Sequence, residues 1–127
     1  MVDRAFMLKR LDDPSTLLVN TLSEKDFLGE EPSRYGRPGR IPGSANAPWL
    51  ALIDEESGRF LALDDARRQL EAVGTADASQ IVCYCGGGIS ATMALLQLHR
   101  LGHDNLACYD ASMSEWAKDE SLPIERG

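Results

Sequence analysis

The spacing of apolar residues changes along this chain, and the changes mark out alternating helices and strands. Residues 4–11 mix Phe6, Met7, Leu8 and Leu11 with Arg and Lys, which predicts a short amphipathic helix closed by the Asp12-Asp13-Pro14 turn. Leu17-Leu18-Val19 is a continuous apolar run and predicts a buried strand. Ser23 has the acceptor chemistry of a helix N-cap, and a short helix through Phe27 would end at Gly29. Residues 30–48 then lose all periodicity and become rich in Gly, Pro and Arg. Tyr35, Ile41 and Ala45 punctuate this stretch, so it reads as a long ordered loop of the kind that carries function.

The second half is more regular. Asp64 and Asp65 are placed to cap a helix with Leu63, Ala66, Leu70 and Val73 on its apolar face, ended by Gly74. Residues 80–84 predict a second buried strand. Ile89, Met93, Leu96 and Leu101 predict one face of a helix that Gly102 terminates. Residues 106–109 predict a strand and 112–118 a last short helix. Strands alternating with helices imply an α/β fold, a mostly parallel sheet flanked by helices on both faces.

Composition narrows the partners. A chain of 127 residues suits one domain over 1–127 with one core. Its formal charge of −7 repels phosphate backbones and anionic lipid heads, which argues against nucleic acid and membrane surfaces. It also repels small anions, so a site for one would need its own positive potential. Residues 1–14 contain no signal-peptide core, and residues 91–101 are too broken by Gln97, His99 and Arg100 to span a bilayer. Three cysteines are too few for a disulfide scaffold, and a reducing cytoplasm is the simplest compartment.

The chemistry concentrates in residues 81–92, where a strand runs into Cys85-Gly86-Gly87-Gly88 and then into a helix. Ligands of open α/β sheets gather beyond the carboxyl ends of strands. Three glycines let successive N–H groups turn inward as an anion-binding nest, and the next helix adds its positive N-terminus. Both would favour the Cys85 thiolate, the attacking form. The same features also fit a tight turn or a phosphate loop, with Cys85 a small core residue. No Gly-Lys-Ser/Thr follows the glycines, which disfavours a Walker phosphate loop. Cys83 and Cys108 read as core. His99 reads as helix surface and His103 as a turn residue, and the Cys-x-Cys spacing is not that of a metal site.

These residues resemble the rhodanese domain, in particular the catalytic C-terminal domain of tandem sulfurtransferases. The resemblance rests on residues 17–19 with 27–30, on Gly39-Arg40-Ile41-Pro42-Gly43-Ser44-Ala45-Asn46, on the Cys85 loop with Leu101-Gly102, and on Tyr109-Asp110-Ala111-Ser112-Met113-Ser114-Glu115-Trp116. It covers the chain from about residue 15. It implies that Cys85 takes sulfur from thiosulfate or 3-mercaptopyruvate as a persulfide and passes it to a thiophilic acceptor such as cyanide or a thiol. The N–H groups of Gly86, Gly87, Gly88, Ile89 and Ser90 would cradle the persulfide, with no cofactor or metal. The residue six after Cys85 is Ala91, not the arginine that phosphatases of this fold require.

The departures from the family pattern bear on the donor. Gly86 and Gly87 stand where thiosulfate-type members carry basic side chains, and Asp26 stands where many carry an anion-anchoring arginine. Asn20-Thr21-Leu22 replaces Asp-x-Arg, Arg40 replaces a frequent histidine, and Met113 replaces a frequent tryptophan. Arg34 and Arg37, in the long loop, are the candidate substitutes for binding a donor anion. A weakly active module that binds a partner, or a relay taking sulfur from a persulfide-donating protein, is the alternative function.

Overall fold

The computed structural model describes residues 1–30, 35–54, 56–86 and 89–127. Four parallel strands form one sheet: β1 (Thr16–Asn20), β2 (Ala45–Asn46), β3 (Gln80–Tyr84) and β4 (Leu106–Cys108), in the spatial order β2-β1-β3-β4. Among the described residues five α-helices connect and flank them, α1 (Arg4–Arg10), α2 (Glu24–Leu28), α3 (Leu63–Glu71), α4 (Ile89–Arg100) and α5 (Ser112–Trp116), with two short 3-10 turns at Trp49–Leu52 and Thr75–Asp77. In β3 every residue from Ile81 to Tyr84 is buried. Consecutive strand residues point to opposite faces, so the sheet is covered on both. The expected α/β architecture is the one observed.

Local chemistry accounts for most boundaries. Asp3 caps α1 by accepting from the Phe6 N–H, and Met7 carries that helix into the core. Ser23 caps α2 as expected, and Gly29 closes it in the left-handed region at φ 80°. Asp13 gathers the turn after α1, with Oδ1 accepting from the Ser15 N–H and hydroxyl and Oδ2 from Thr16 Oγ1. Those bonds to its charged form hold the Asp13 carboxyl below its ordinary range.

Three expectations need correction. The position before α3 is Ala62, without a side-chain cap; Asp64 and Asp65 instead sit in the first turn, where negative charge favours the helix N-terminus. The loop over 30–48 contains the short strand β2, which Gly, Pro and polar neighbours conceal. The core face of α4 is not Met93 and Leu96 but Ala91, Ala94 and Leu98, with Leu96 46% exposed. Small side chains at Ala91 and Ala94 suit a close approach of α4 to β3 and β4, while Leu98 fills the space toward its end. The end of α4 is as expected: Gly102 and His103 donate to the carbonyls of His99 and Leu98, respectively. Among the described residues, no helix is long and apolar enough to cross a membrane.

Tyr84 ties the long loop to the sheet. Its wholly buried hydroxyl accepts from the Ile41 N–H at 3.1 Å and lies 2.7 Å from Ser44 Oγ. Ser44 Oγ also lies 2.6 Å from the Ile41 carbonyl, to which it donates, so Tyr84 donates to Ser44. Burial pushes the phenol up despite these bonds, keeping it the donor. Tyr84→Phe should leave the Ile41 N–H unpaired and lower stability by about 1–3 kcal/mol, read by urea unfolding. A loss within error would show that the loop does not depend on this hydroxyl.

Candidate active site

The carboxyl ends of the three strands β1, β2 and β3 meet at one edge of the sheet, and Cys85 is the first residue beyond β3. The ladder ends here, yet the peptide groups of Cys85 and Gly86 are buried and must find partners. Residues 112–114 supply them. The Cys85 N–H donates to Ser112 Oγ at 3.0 Å, and the Cys85 carbonyl accepts from the Met113 N–H at 2.9 Å. The Gly86 carbonyl accepts from both the N–H and the hydroxyl of Ser114, at 2.9 and 2.6 Å. Ser112 Oγ in turn donates to the Tyr109 carbonyl at 2.7 Å. To do so Ser112 adopts φ 53°, the only positive φ outside glycine among the described residues.

From β1 the chain adds Thr21, whose N–H donates to the Tyr84 carbonyl at 3.0 Å. Thr21 Oγ1 lies 3.0 Å from Ser90 Oγ in the first turn of α4. From β2 the chain passes to Trp49. Asn46 fixes this crossing by donating to the carbonyls of Asn20 and Leu22 (3.1 and 2.9 Å), and Trp49 N–H donates to the Thr21 carbonyl at 3.0 Å. The result is a cavity of about 280 Å³ lined by Leu22, Tyr35, Trp49, Cys85, Gly86, Ser90 and Met93. Tyr35 roofs it so closely that a Cβ on Gly86 would fall on the phenol ring.

Of the residues expected at the site, the structure brings Cys85, Gly86 and Ser90 together at this cavity. Arg34, Gly87 and Gly88 lie outside the described residues, as does the side chain of Ile89. Arg37 is placed elsewhere. Its guanidinium donates to the carbonyls of Ala117, Trp116 and Asp119 (2.9, 3.3 and 2.6 Å), neutralising the open end of α5 rather than facing the cavity. Arg40 is likewise occupied, by Glu125 and the carbonyls of Phe27 and Gly127. Sequence reasoning named none of Leu22, Tyr35, Trp49 or Met93 as site residues. Thr21 and Leu22 entered only as departures from the family pattern, Tyr35 as a loop residue and Met93 as a core position.

The other two thiols are core residues. Cys83 faces Val19 and Cys108 across the sheet, and burial pushes its thiol far above the ordinary range. Burial and Asp110 raise Cys108 as well. None of the three cysteines is in a disulfide. Among the described residues, no three His, Cys, Asp or Glu side chains converge as metal ligands.

A family model for the rhodanese-like domain matches residues 5–119. The chain belongs to the rhodanese-like domain family. Similar proteins include thiosulfate/3-mercaptopyruvate sulfurtransferase 2 of Arabidopsis thaliana, 34% identical over 91% of this chain and 34% of that protein. The 3-mercaptopyruvate sulfurtransferase of Escherichia coli K12 is 34% identical over 76% of this chain and 34% of its own length. This rhodanese-like chain therefore spans about a third of the curated relatives it matches. The Tum1 protein of Saccharomyces cerevisiae shares the fold, with a TM-score of 0.82 at 23% identity over 98% of this chain and 46% of that one.

Two variants test the site's construction. Ser112→Ala and Ser112→Gly both remove the hydroxyl that serves Cys85, but glycine relieves the positive φ. Ser112→Gly should therefore be the more stable of the two by about 1 kcal/mol in urea unfolding; the reverse order would show an unstrained backbone. Arg37→Ala should lower stability while leaving KM for an anionic donor unchanged, and a raised KM would return Arg37 to the substrate.

Proposed function

We propose that this rhodanese-like domain is a sulfurtransferase acting through a persulfide on Cys85. The observation that supports this most is the placement of Cys85. It stands at the carboxyl end of a central strand, on a cavity wall, four residues before α4 begins. The positive end of that helix favours the thiolate over the thiol.

Cys85 Sγ, as thiolate, attacks the outer sulfur of thiosulfate or the thiol sulfur of 3-mercaptopyruvate. With the latter the donor's C–S bond breaks, its electron pair forms the enolate of pyruvate, and the thiol proton passes to that enolate to give pyruvate. With thiosulfate, the new S–S bond forms as the donor's S–S bond breaks, and sulfite leaves with the electron pair. A thiophilic acceptor such as cyanide or a thiol then attacks the outer sulfur and returns the Cys85 thiolate. Two half-reactions on one covalent carrier imply ping-pong kinetics. Thr21 Oγ1 donates to the Tyr84 carbonyl at 3.4 Å, so across the 3.0 Å contact between the Thr21 and Ser90 hydroxyls Ser90 donates to Thr21. This pairing ties the first turn of α4 to the segment after β1 beside Cys85.

A reducing compartment such as the cytoplasm suits this chemistry, since it keeps the thiol available. A second reading, receipt of sulfur from a protein persulfide, is favoured by the occupation of Arg37 and Arg40. A protein donor needs no arginine to anchor a small anion.

Mass spectrometry after donor treatment should find one added sulfur on the Cys85 peptide and none on Cys83 or Cys108. A raised thiol pKa leaves those two protonated at pH values where an ordinary cysteine has ionised, so the selectivity should persist into mild alkali. Cys85→Ser should abolish thiocyanate formation while retaining the fold. Sulfur on either core cysteine, or turnover by Cys85→Ser, overturns the assignment. Loading by a cysteine desulfurase but by neither small donor would favour the second reading.

A further inference from the structure

A second cavity of about 280 Å³ lies off the amino ends of the strands, at the end of the sheet opposite Cys85. Thr75, which precedes β3, and His103, which precedes β4, line it together with Arg67 and Glu71 on α3, Ala76, and Leu101 just beyond α4. Among the described residues, no hydrogen bond or ion pair engages the side chain of Arg67, Glu71, Thr75 or His103. Arg67 and Glu71 stand four residues apart on one helix, near enough to pair, yet they do not bond. Arg68 of the same helix does pair, with Asp65. Thr75 is 1% exposed and its hydroxyl has no partner, a condition that lowers stability and that folding alone gives no reason to keep.

We infer that this cavity is a binding site for a zwitterionic α-amino acid with a small apolar side chain. Arg67 and the His103 ring offer N–H donors to a carboxylate, and Glu71 offers an acceptor to an ammonium group. Both α3 and α4 run to their carboxyl ends here, and the partial negative charge of a helix end favours the ammonium as well. The Thr75 hydroxyl, able both to donate and to accept, gains from the ligand the partner that the chain does not give it. Leu101 and Ala76 supply apolar surface for the side chain, and a cavity of this size suits a ligand at the small end. A lone anion would meet Glu71 and a lone cation Arg67, each a like charge, whereas a zwitterion satisfies both. Having no net charge, it is also not repelled by a chain that carries −7. The site is separate from Cys85 and does not depend on sulfur transfer there.

The test is isothermal titration calorimetry of the full chain with L-valine and with two molecules that each keep one of its charges, 3-methylbutanoate and 2-methylpropan-1-amine. Valine should bind at one site, and each singly charged molecule about tenfold or more weakly. Arg67→Met should weaken valine about tenfold without weakening the amine, and Glu71→Gln should weaken valine about tenfold without weakening the carboxylate. Thr75→Val keeps the shape and removes the unpaired hydroxyl, so it should weaken valine yet raise the urea midpoint of the free protein. The inference is overturned by the lack of saturable valine binding up to about 10 mM, or by either singly charged molecule binding as tightly as valine. Valine affinity unchanged by both Arg67→Met and Glu71→Gln also overturns it. A lowered midpoint for Thr75→Val overturns the role given to its hydroxyl, and the exposed positions Arg67 and Glu71 keep the site testable should that variant not fold.

Discussion

A strand buried on both faces has to satisfy every peptide group it carries, and the requirement does not stop where its ladder stops. At the end of β3 this single constraint organises the site. The Tyr84 carbonyl is taken by Thr21, the Cys85 N–H and carbonyl by Ser112 and Met113, and the Gly86 carbonyl by Ser114. Each of those partners begins or belongs to another segment, so pairing the strand end also draws the segments after β1 and β4 to the sulfur. Ser112 accepts an unfavourable backbone conformation to complete the set. Cys85 is thereby held by its main chain as well as by its place in the core.

The arginines of the long loop follow the same logic from the opposite direction. A charged side chain near an acidic surface could serve a substrate or the fold, and here the unpaired carbonyls at the end of α5 and the carboxylate of Glu125 claim Arg37 and Arg40. These bonds connect the loop to the C-terminal segment, which also receives the Trp116 indole N–H at the Pro123 carbonyl. The electrostatics of the described loop are thus internal, and the cavity beside it is left to aromatic and aliphatic surfaces.

Much of this was legible in the sequence because the determinants are local. Uninterrupted apolar runs marked β1 and β3, Ser23 and Gly29 marked both ends of α2, and a cysteine between strand and glycines marked the chemistry. What was hidden depends on tertiary contacts. Two residues of β2 carry no periodicity, and they form a strand because β1 has an edge to pair. The face of α4 was misjudged because large apolar residues seem the natural core, whereas close approach to the sheet selects Ala91 and Ala94. Arg37 in the loop could not reveal which carbonyls it would meet 80 positions later. Trp49 carries no local signal of its role; the Thr21 carbonyl places it at the cavity.

The cavity's walls come from separate connections. Leu22 follows β1, Trp49 follows β2, Tyr35 belongs to the long loop, and Met93 is on α4, while Cys85 is positioned by the sheet. Position and selectivity are therefore encoded in different stretches of the gene. Substitutions at Trp49 and Met93, half-buried on the wall, can accumulate with less penalty to folding than those at Leu22, which is part of the core, or at Tyr84 and Ser112. Such a division lets descent retune what enters the site while the reactive atom stays where it is.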